Sequence, residues 1–311
     1  MPAVYNSTLY APIAAISCLS RATYRARRLL PVHGDVIVKA GQQVKARDGA
    51  PLMYRVYPGS PDRIAVLVHG STGTGLDMHK VAQALQGAGA TAYTISLRGH
   101  GGSGTTVGDV SYVGQLDDDL ADFLKALGLD KPGQKRTLVG YSAGGGFALR
   151  TASGRMRKAF DNYIVISPYV ISYIDIRRRH LGPWANAATL RIASLLLLEN
   201  LGLDWFQDLP AARYAVDPHP DARHTPGYSY RMLRSLHMGL DRQHDLESIA
   251  APTVILASDA DELSNIRRLG TTGNPRIELR HVDKLDHDQM VVSPLATAEI
   301  AAIWRKLNDV R

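Results

Sequence analysis

The residues best suited to chemistry lie in one stretch, Leu138-Val139-Gly140-Tyr141-Ser142-Ala143-Gly144-Gly145-Gly146. An apolar run leads into Gly-x-Ser-x-Gly and then into small residues. This pattern predicts a strand, a sharp turn and a helix, with Ser142 at the apex. So tight a turn brings backbone against backbone, which Gly140 and Gly144 permit because they carry no Cβ. The hydroxyl is pushed out of the sheet. The N–H of Ala143 falls at a helix N-terminus, where a developing negative charge is favoured.

A serine is a weak nucleophile at neutral pH. It needs a base within hydrogen-bond reach, and the base needs an orienting acid. In open parallel sheets such residues sit on loops at the carboxyl ends of strands. Two such loops follow Ser142. One is Ser258-Asp259-Ala260-Asp261-Glu262, after the apolar run 252–257. The other is Asp283-Lys284-Leu285-Asp286-His287-Asp288, after the run 277–282. The chain order is then Ser142, Asp261, His287, with Asp259 as a rival acid. Asp286 and Asp288 adjoin His287 in sequence, and their side chains would point away from a shared target.

The elements that must position these loops can be read from hydrophobic period. Alternation over 35–39 and 42–46, the turn Asp48-Gly49 and the run 52–57 predict an antiparallel start to a sheet. Residues 64–68 form a continuous apolar run, as in a strand covered on both faces, and end in His69-Gly70-Ser71. Met78, Val81, Ala82 and Leu85 are spaced as a helix. The next strand, 92–97, runs into Arg98-Gly99-His100-Gly101-Gly102-Ser103-Gly104. A second helix carries Leu116, Leu120, Phe123, Leu124 and Leu127, with Asp117, Asp118 and Asp119 in its first turn, where the dipole favours acids. A strand over 163–166 follows the elbow. Strands alternating with helices on short links predict a mostly parallel sheet with helices on both faces.

The rhythm breaks over 169–250, where helical patterns such as 190–201 appear and no buried strand is evident. It resumes at 252 and closes on a helix with Ile300, Ile303, Trp304 and Leu307. The expected organisation is an N-terminal extension (1–34), a core (35–168 and 251–311) and an inserted helical lid (169–250) after the sixth strand. Leu195 to Leu198, Trp184, Trp205, Phe206 and Tyr214 are the apolar material of the insertion. A stripe of this kind is more often the interior of a lid than a substrate wall.

Composition narrows the function. The 311 residues are 45% hydrophobic and 21% charged, the balance of a globular chain with a substantial core. The net charge of +7 comes in clusters at Arg21, Arg25, Arg27 and Arg28, at Arg155, Arg157 and Lys158, and at Arg177 to Arg179. No nucleic-acid-binding signature accompanies the charge, so no nucleic-acid partner is expected. A weak contact with a membrane surface through the N-terminal or lid arginines is the sharper expectation, and a solvated basic surface the blander one. Cys18 stands alone, so no intrachain disulfide can form, which fits a reducing, cytoplasmic setting. The apolar stretch 9–19 is interrupted by Pro12, is shorter than a membrane span and precedes its arginines, the wrong order for a secretory signal. The histidines lack the paired spacing of a metal site, so no metal is expected. The loop 99–104 lacks the register of a dinucleotide fingerprint, so no cofactor is expected either.

Five motifs now stand in order, each past a strand: His69-Gly70, Arg98-Gly99-His100-Gly101-x-Ser103, Gly140-x-Ser142-x-Gly144, Asp261 and His287. Over residues 46–307 the sequence resembles the α/β-hydrolase superfamily, and within it the lid-bearing esterases, monoacylglycerol lipases and lysophospholipases. The resemblance implies an α/β-hydrolase fold with Ser142 as nucleophile, His287 as base and then acid, and Asp261, in preference to Asp259, as the orienting carboxylate. It places the oxyanion on the backbone N–H groups of Ser71 and Ala143. His69 and His100, outside this set, are read as loop-bracing residues. One departure is Ser96, where the family often carries an aspartate. The implied reaction is cleavage of a small, lipid-like ester through an acyl-enzyme. Amide or thioester hydrolysis, acyl transfer and a non-catalytic binding role are the alternatives on the same fold. An aspartate nucleophile is excluded by Ser142 itself.

Overall fold

The computed structural model describes residues 41–170, 185–214, 216, 224–239, 241–261, 263 and 273–309. The strand expected over 35–39, Cys18, Trp184, the N-terminal extension and the arginines at 21–28 and 177–179 lie outside the described residues.

The chain opens with β1 (Gln42–Lys45) and β2 (Pro51–Tyr57), followed by β3 (Ser60–Val68), α1 (His79–Gly87), β4 (Ala90–Ile95), α2 (Gln115–Ala126), β5 (Lys135–Tyr141), α3 (Ala143–Ser153) and β6 (Asn162–Ile166). After an intervening segment come β7 (Ala185–Ala187), α4 (Thr189–Asn200), β8 (Pro210–Tyr214), β9 (Gly227–Ser229), α5 (Tyr230–Leu236) and α6 (Arg242–Glu247). The chain returns to the core with β10 (Thr253–Ala257), β11 (Ile277–His281), α7 (Gln289–Val292) and α8 (Pro294–Leu307).

Among the described residues the main sheet has eight strands in the order β1-β2-β4-β3-β5-β6-β10-β11. The β1–β2 and β2–β4 pairs are antiparallel and the others parallel. β3 shows why its run is continuously apolar. Ile64, Val66 and Val68 enter one core with Leu116, Leu120 and Phe123 of α2 and Phe147 of α3. Ala65 and Leu67 enter the other, with Val81 and Leu85 of α1 and Ile300, Ile303 and Trp304 of α8. A strand with helices on both faces has no wet side, so the two-residue alternation vanishes. Each core surrounds side chains that are fully buried, among them Phe147 on one face and Trp304 on the other.

The segment between β6 and β10 departs from the helical insertion expected. Besides α4, α5 and α6 it contains a three-stranded antiparallel sheet in the order β7-β8-β9. These strands have three, five and three residues, too few to display an alternation that sequence reading can detect. The segment joins the core on the α2–α3 face through Ile192, Leu195, Tyr228, Met232 and Leu236. Of the leucine run, Leu195 is buried and Leu197 is exposed, as is Trp205. No described helix is long and apolar enough to cross a membrane.

Charged side chains brace the loop after β4. Arg98 makes a bidentate pair with Asp119 at 2.8 and 2.6 Å and reaches Asp48 at 2.9 Å. Asp119 holds the guanidinium pKa above its ordinary value. A fork this well matched and nearly dry fixes geometry, and losing one partner would strand a buried charge. Ser96 closes the same region from the other side. Its hydroxyl accepts from the Gly75 N–H at 3.1 Å, and its carbonyl accepts from the Ser103 hydroxyl at 2.7 Å. A neutral side chain ties down the loop after β3.

Candidate active site

The elbow forms where β5 meets α3. Ser142 sits at φ 54°, ψ −117°, a conformation that is costly for a residue with a Cβ. The neighbouring backbone enforces it. A Cβ on Gly140 would lie 2.1 Å from the Gly144 carbonyl oxygen, and one on Gly144 would lie 2.4 Å from that of His69. Both glycines are therefore required by contact, as the sequence pattern implies.

The structure brings Ser142, Asp261 and His287 together from three strand ends. The Ser142 Oγ is 2.9 Å from His287 Nε2. The His287 Nδ1 is 2.9 Å from each oxygen of Asp261. All three side chains are buried. A carboxylate only accepts, so Nδ1 carries the proton and Nε2 presents its lone pair to the serine hydroxyl. This arrangement can take the Ser142 proton as the oxygen attacks and can stabilise the imidazolium that results. Asp261 is held in place in turn, since it accepts from the Leu263 N–H at 2.9 Å. Asp259 is exposed, two residues away on the same turn. Asp286 instead accepts from the Gln289 N–H at 2.8 Å, at the start of α7.

Two backbone N–H groups border the serine. Ala143 is the first residue of α3, so its N–H has no acceptor within the helix and sits at the positive end of the helix dipole. The turn after β3 passes close by, because a Cβ on Gly70 would lie 3.1 Å from the Ser142 Cβ. That approach brings the turn that continues into Ser71 close to Ser142. Among the described residues neither the Ser71 nor the Ala143 N–H donates to another backbone group.

Histidines brace these loops without entering the reactive cluster. His69 donates from Nδ1 to the Gly70 carbonyl at 2.8 Å, and its Nε2 accepts from the Leu97 N–H at 3.1 Å. His100 donates from Nδ1 to the Arg98 carbonyl at 3.0 Å, and its Nε2 accepts from the Tyr228 hydroxyl at 2.7 Å. Burial pushes His69 down to about 3 and His100 down to about 4. His237, beside Tyr169, is likewise pushed down to about 3 by burial.

These three groups predict a pH-dependent stability. The unfolded chain takes up their protons near pH 6.5 and the folded chain does not. Stability is therefore fully present above about pH 6.5 and declines as pH falls toward 4, where unfolding binds up to three extra protons. Urea titrations at pH 7.5, 6.0 and 5.0 should show the midpoint falling stepwise. A midpoint unchanged across that window would contradict buried neutral imidazoles.

Several residues at the site carry no sequence signal. The Tyr141 hydroxyl donates to the His287 carbonyl at 3.0 Å, and its ring centroid lies 5.0 Å from the imidazole. Tyr228, 128 residues from its partner His100, reaches the loop after β3 from the inserted segment. Tyr214 stacks edge-on against Tyr228 at 5.0 Å. Such long-range contacts have no local period or spacing to reveal them. Among the described residues no three His, Cys, Asp or Glu side chains cluster in a way that could hold a metal ion.

Comparisons with known proteins bear on the family and the fold. The sequence profile of the family described as Serine aminopeptidase, S33 matches residues 59–290. The chain is 26% identical over 234 residues to the monoacylglycerol lipase of Mycolicibacterium smegmatis, covering 69% of this chain and 76% of the relative. It is 27% identical over 219 residues to a putative carbamate hydrolase RutD of Caulobacter sp., covering 66% and 76%. Among solved structures, the monoacylglycerol lipase of Paleococcus ferrophilus superposes with a TM-score of 0.63 at 20% identity, covering 84% of this chain and 99% of that one. The central sheet, the helices on its two faces and this likeness make the fold that of the α/β-hydrolases.

Proposed function

The chain belongs to the Serine aminopeptidase, S33 family of hydrolases, and from that premise we propose that it cleaves a small, lipid-like carboxylic ester through an acyl-enzyme on Ser142. The observation that carries the reading is the unbroken line from Ser142 Oγ to His287 to Asp261, at 2.9 Å for each contact.

In the proposed reaction the Ser142 Oγ attacks the ester carbonyl while His287 Nε2 takes its proton. The carbonyl oxygen becomes an oxyanion, held by the N–H groups of Ala143 and Ser71. Each such donor supplies about 3 kcal/mol of transition-state stabilisation. The tetrahedral intermediate collapses, the alcohol leaves with the proton from His287, and an acyl-enzyme remains. His287 then draws a proton from water, the hydroxide attacks the acyl carbon, and the acid departs as the proton returns to Ser142. Asp261 keeps the imidazole in one tautomer throughout. No cofactor or metal enters these steps.

The ester assignment rests on the monoacylglycerol lipase named among the relatives. The family description and the carbamate hydrolase support a second reading, hydrolysis of an amide or carbamate bond at the same serine.

A fluorophosphonate probe tests the mechanism, and paired substrates test the bond. Active-state protein should label at Ser142 near neutral pH and should turn over esters across a series of acyl chain lengths faster than the matched amides. No labelling would favour a non-catalytic binding role, and amide turnover equal to ester turnover would favour the second reading.

A further inference from the structure

The inserted segment does more than border the site, for it grips one of the two candidate oxyanion donors from behind. Thr72 directly follows Ser71 and adopts φ 65°, which a β-branched residue resists. Both polar groups of its backbone are held by the insertion. The Thr72 N–H donates to the Tyr228 Oη at 2.6 Å. The Thr72 carbonyl accepts from the Thr225 N–H at 2.9 Å.

The Tyr228 hydroxyl is itself oriented. His100 spends its Nδ1 proton on the Arg98 carbonyl, so its Nε2 can only accept. The phenol therefore donates to His100 and accepts from Thr72, a directed chain. Burial holds the phenol pKa well above the ordinary value, with the Thr72 N–H and then the Ser71 hydroxyl acting in the opposite direction. The other end is rigid as well. Arg98 is fixed by its fork to Asp119, and the Thr225 hydroxyl donates to the Gly99 carbonyl at 2.9 Å. Tyr214 packs edge-on against the Tyr228 ring.

We propose that Tyr228, supplied by the inserted segment, is a positioning residue for the oxyanion hole, fixing through Thr72 and His100 where the Ser71 N–H points. This rests on the serine-hydrolase reading above. It makes the insertion part of the machinery that stabilises charge. Oxyanion donors act only when aimed at the oxygen's position in the transition state, so a small turn of this loop lowers kcat and leaves substrate binding nearly intact.

The test is Tyr228→Phe in the full chain, assayed on a p-nitrophenyl ester and on its thionoester, whose sulfur is a poor match for N–H donors. We expect kcat for the ester to fall about ten- to a hundredfold, with KM changed less than about threefold. The ester-to-thionoester rate ratio should fall with it, which loosened packing alone would not produce. If the phenylalanine variant fails to fold, His100 gives the same test. His100→Gln places an amide oxygen near the Nε2 position and should retain most of the rate. His100→Asn places its amide near Nδ1, leaves the Tyr228 hydroxyl without that acceptor, and should lose about tenfold more. An active wild type whose Tyr228→Phe form keeps kcat and the ester-to-thionoester ratio overturns the proposal alone, as do equal rates in the two His100 variants. A wild type that cleaves no ester and does not label at Ser142 overturns the serine-hydrolase reading, and this proposal with it.

Discussion

Ser142→Ala is expected to lower kcat about a million-fold while KM for the same ester moves little. The oxygen lost is the one that makes the 2.9 Å contact with His287 Nε2 and that attacks the carbonyl in the proposed reaction. Without it the imidazole can still pull a proton from water, but no acyl-enzyme forms. The N–H groups of Ala143 and Ser71 would remain, so a residual rate some thousandfold above the uncatalysed reaction should persist. Fold stability should change little, because alanine keeps the Cβ already accommodated at φ 54° and loses only the side-chain contact to His287. The measurement is steady-state kinetics with burst analysis. Wild type should release about one equivalent of alcohol ahead of the steady state whenever deacylation is slow, and the variant none. A burst that survives in Ser142→Ala would place the nucleophile elsewhere.

Much of the site can be read in the sequence because its geometry depends on strand ends, and strand ends are marked by apolar runs. β5, β10 and β11 each finish within a few residues of Ser142, Asp261 and His287. A parallel sheet puts those ends on one edge whatever else the chain does. Gly140 and Gly144 are legible for a similar reason, since a close backbone approach leaves only one residue type. The inserted segment follows no such rule. Its strands are short, and its helices use the same leucines for interior and surface, with Leu195 buried and Leu197 exposed two residues on. Tyr228 and Tyr214 act by meeting residues distant in the chain or each other, so only the folded chain reveals them. His100 falls between the two cases. Its loop-bracing role is expected from the sequence, but its partner is not.

Asp261→Asn is expected to cut kcat about ten-thousandfold, and Asp259→Asn less than about twofold. Two residues apart on one turn, the pair is indistinguishable by chain order. The turn separates them. Asp261 faces inward with both oxygens 2.9 Å from His287 Nδ1, while Asp259 faces solvent. In the Asp261→Asn variant the new side-chain amide can offer N–H₂ to Nδ1, which selects the tautomer with the proton on Nε2. That nitrogen then confronts the Ser142 hydroxyl as a donor and cannot accept its proton. The shape of the site survives and its chemistry stops, so KM and the urea midpoint should stay close to wild type while kcat collapses. The loss should be smaller than in Ser142→Ala, because a minor population of the correct tautomer remains. Combining the two substitutions should cost no more than Ser142→Ala alone, since residues acting as one unit do not contribute additively. If Asp259→Asn abolishes turnover and Asp261→Asn spares it, the acid is assigned to the wrong residue. If both spare it, His287 does not depend on a carboxylate, and the proton path runs through another group.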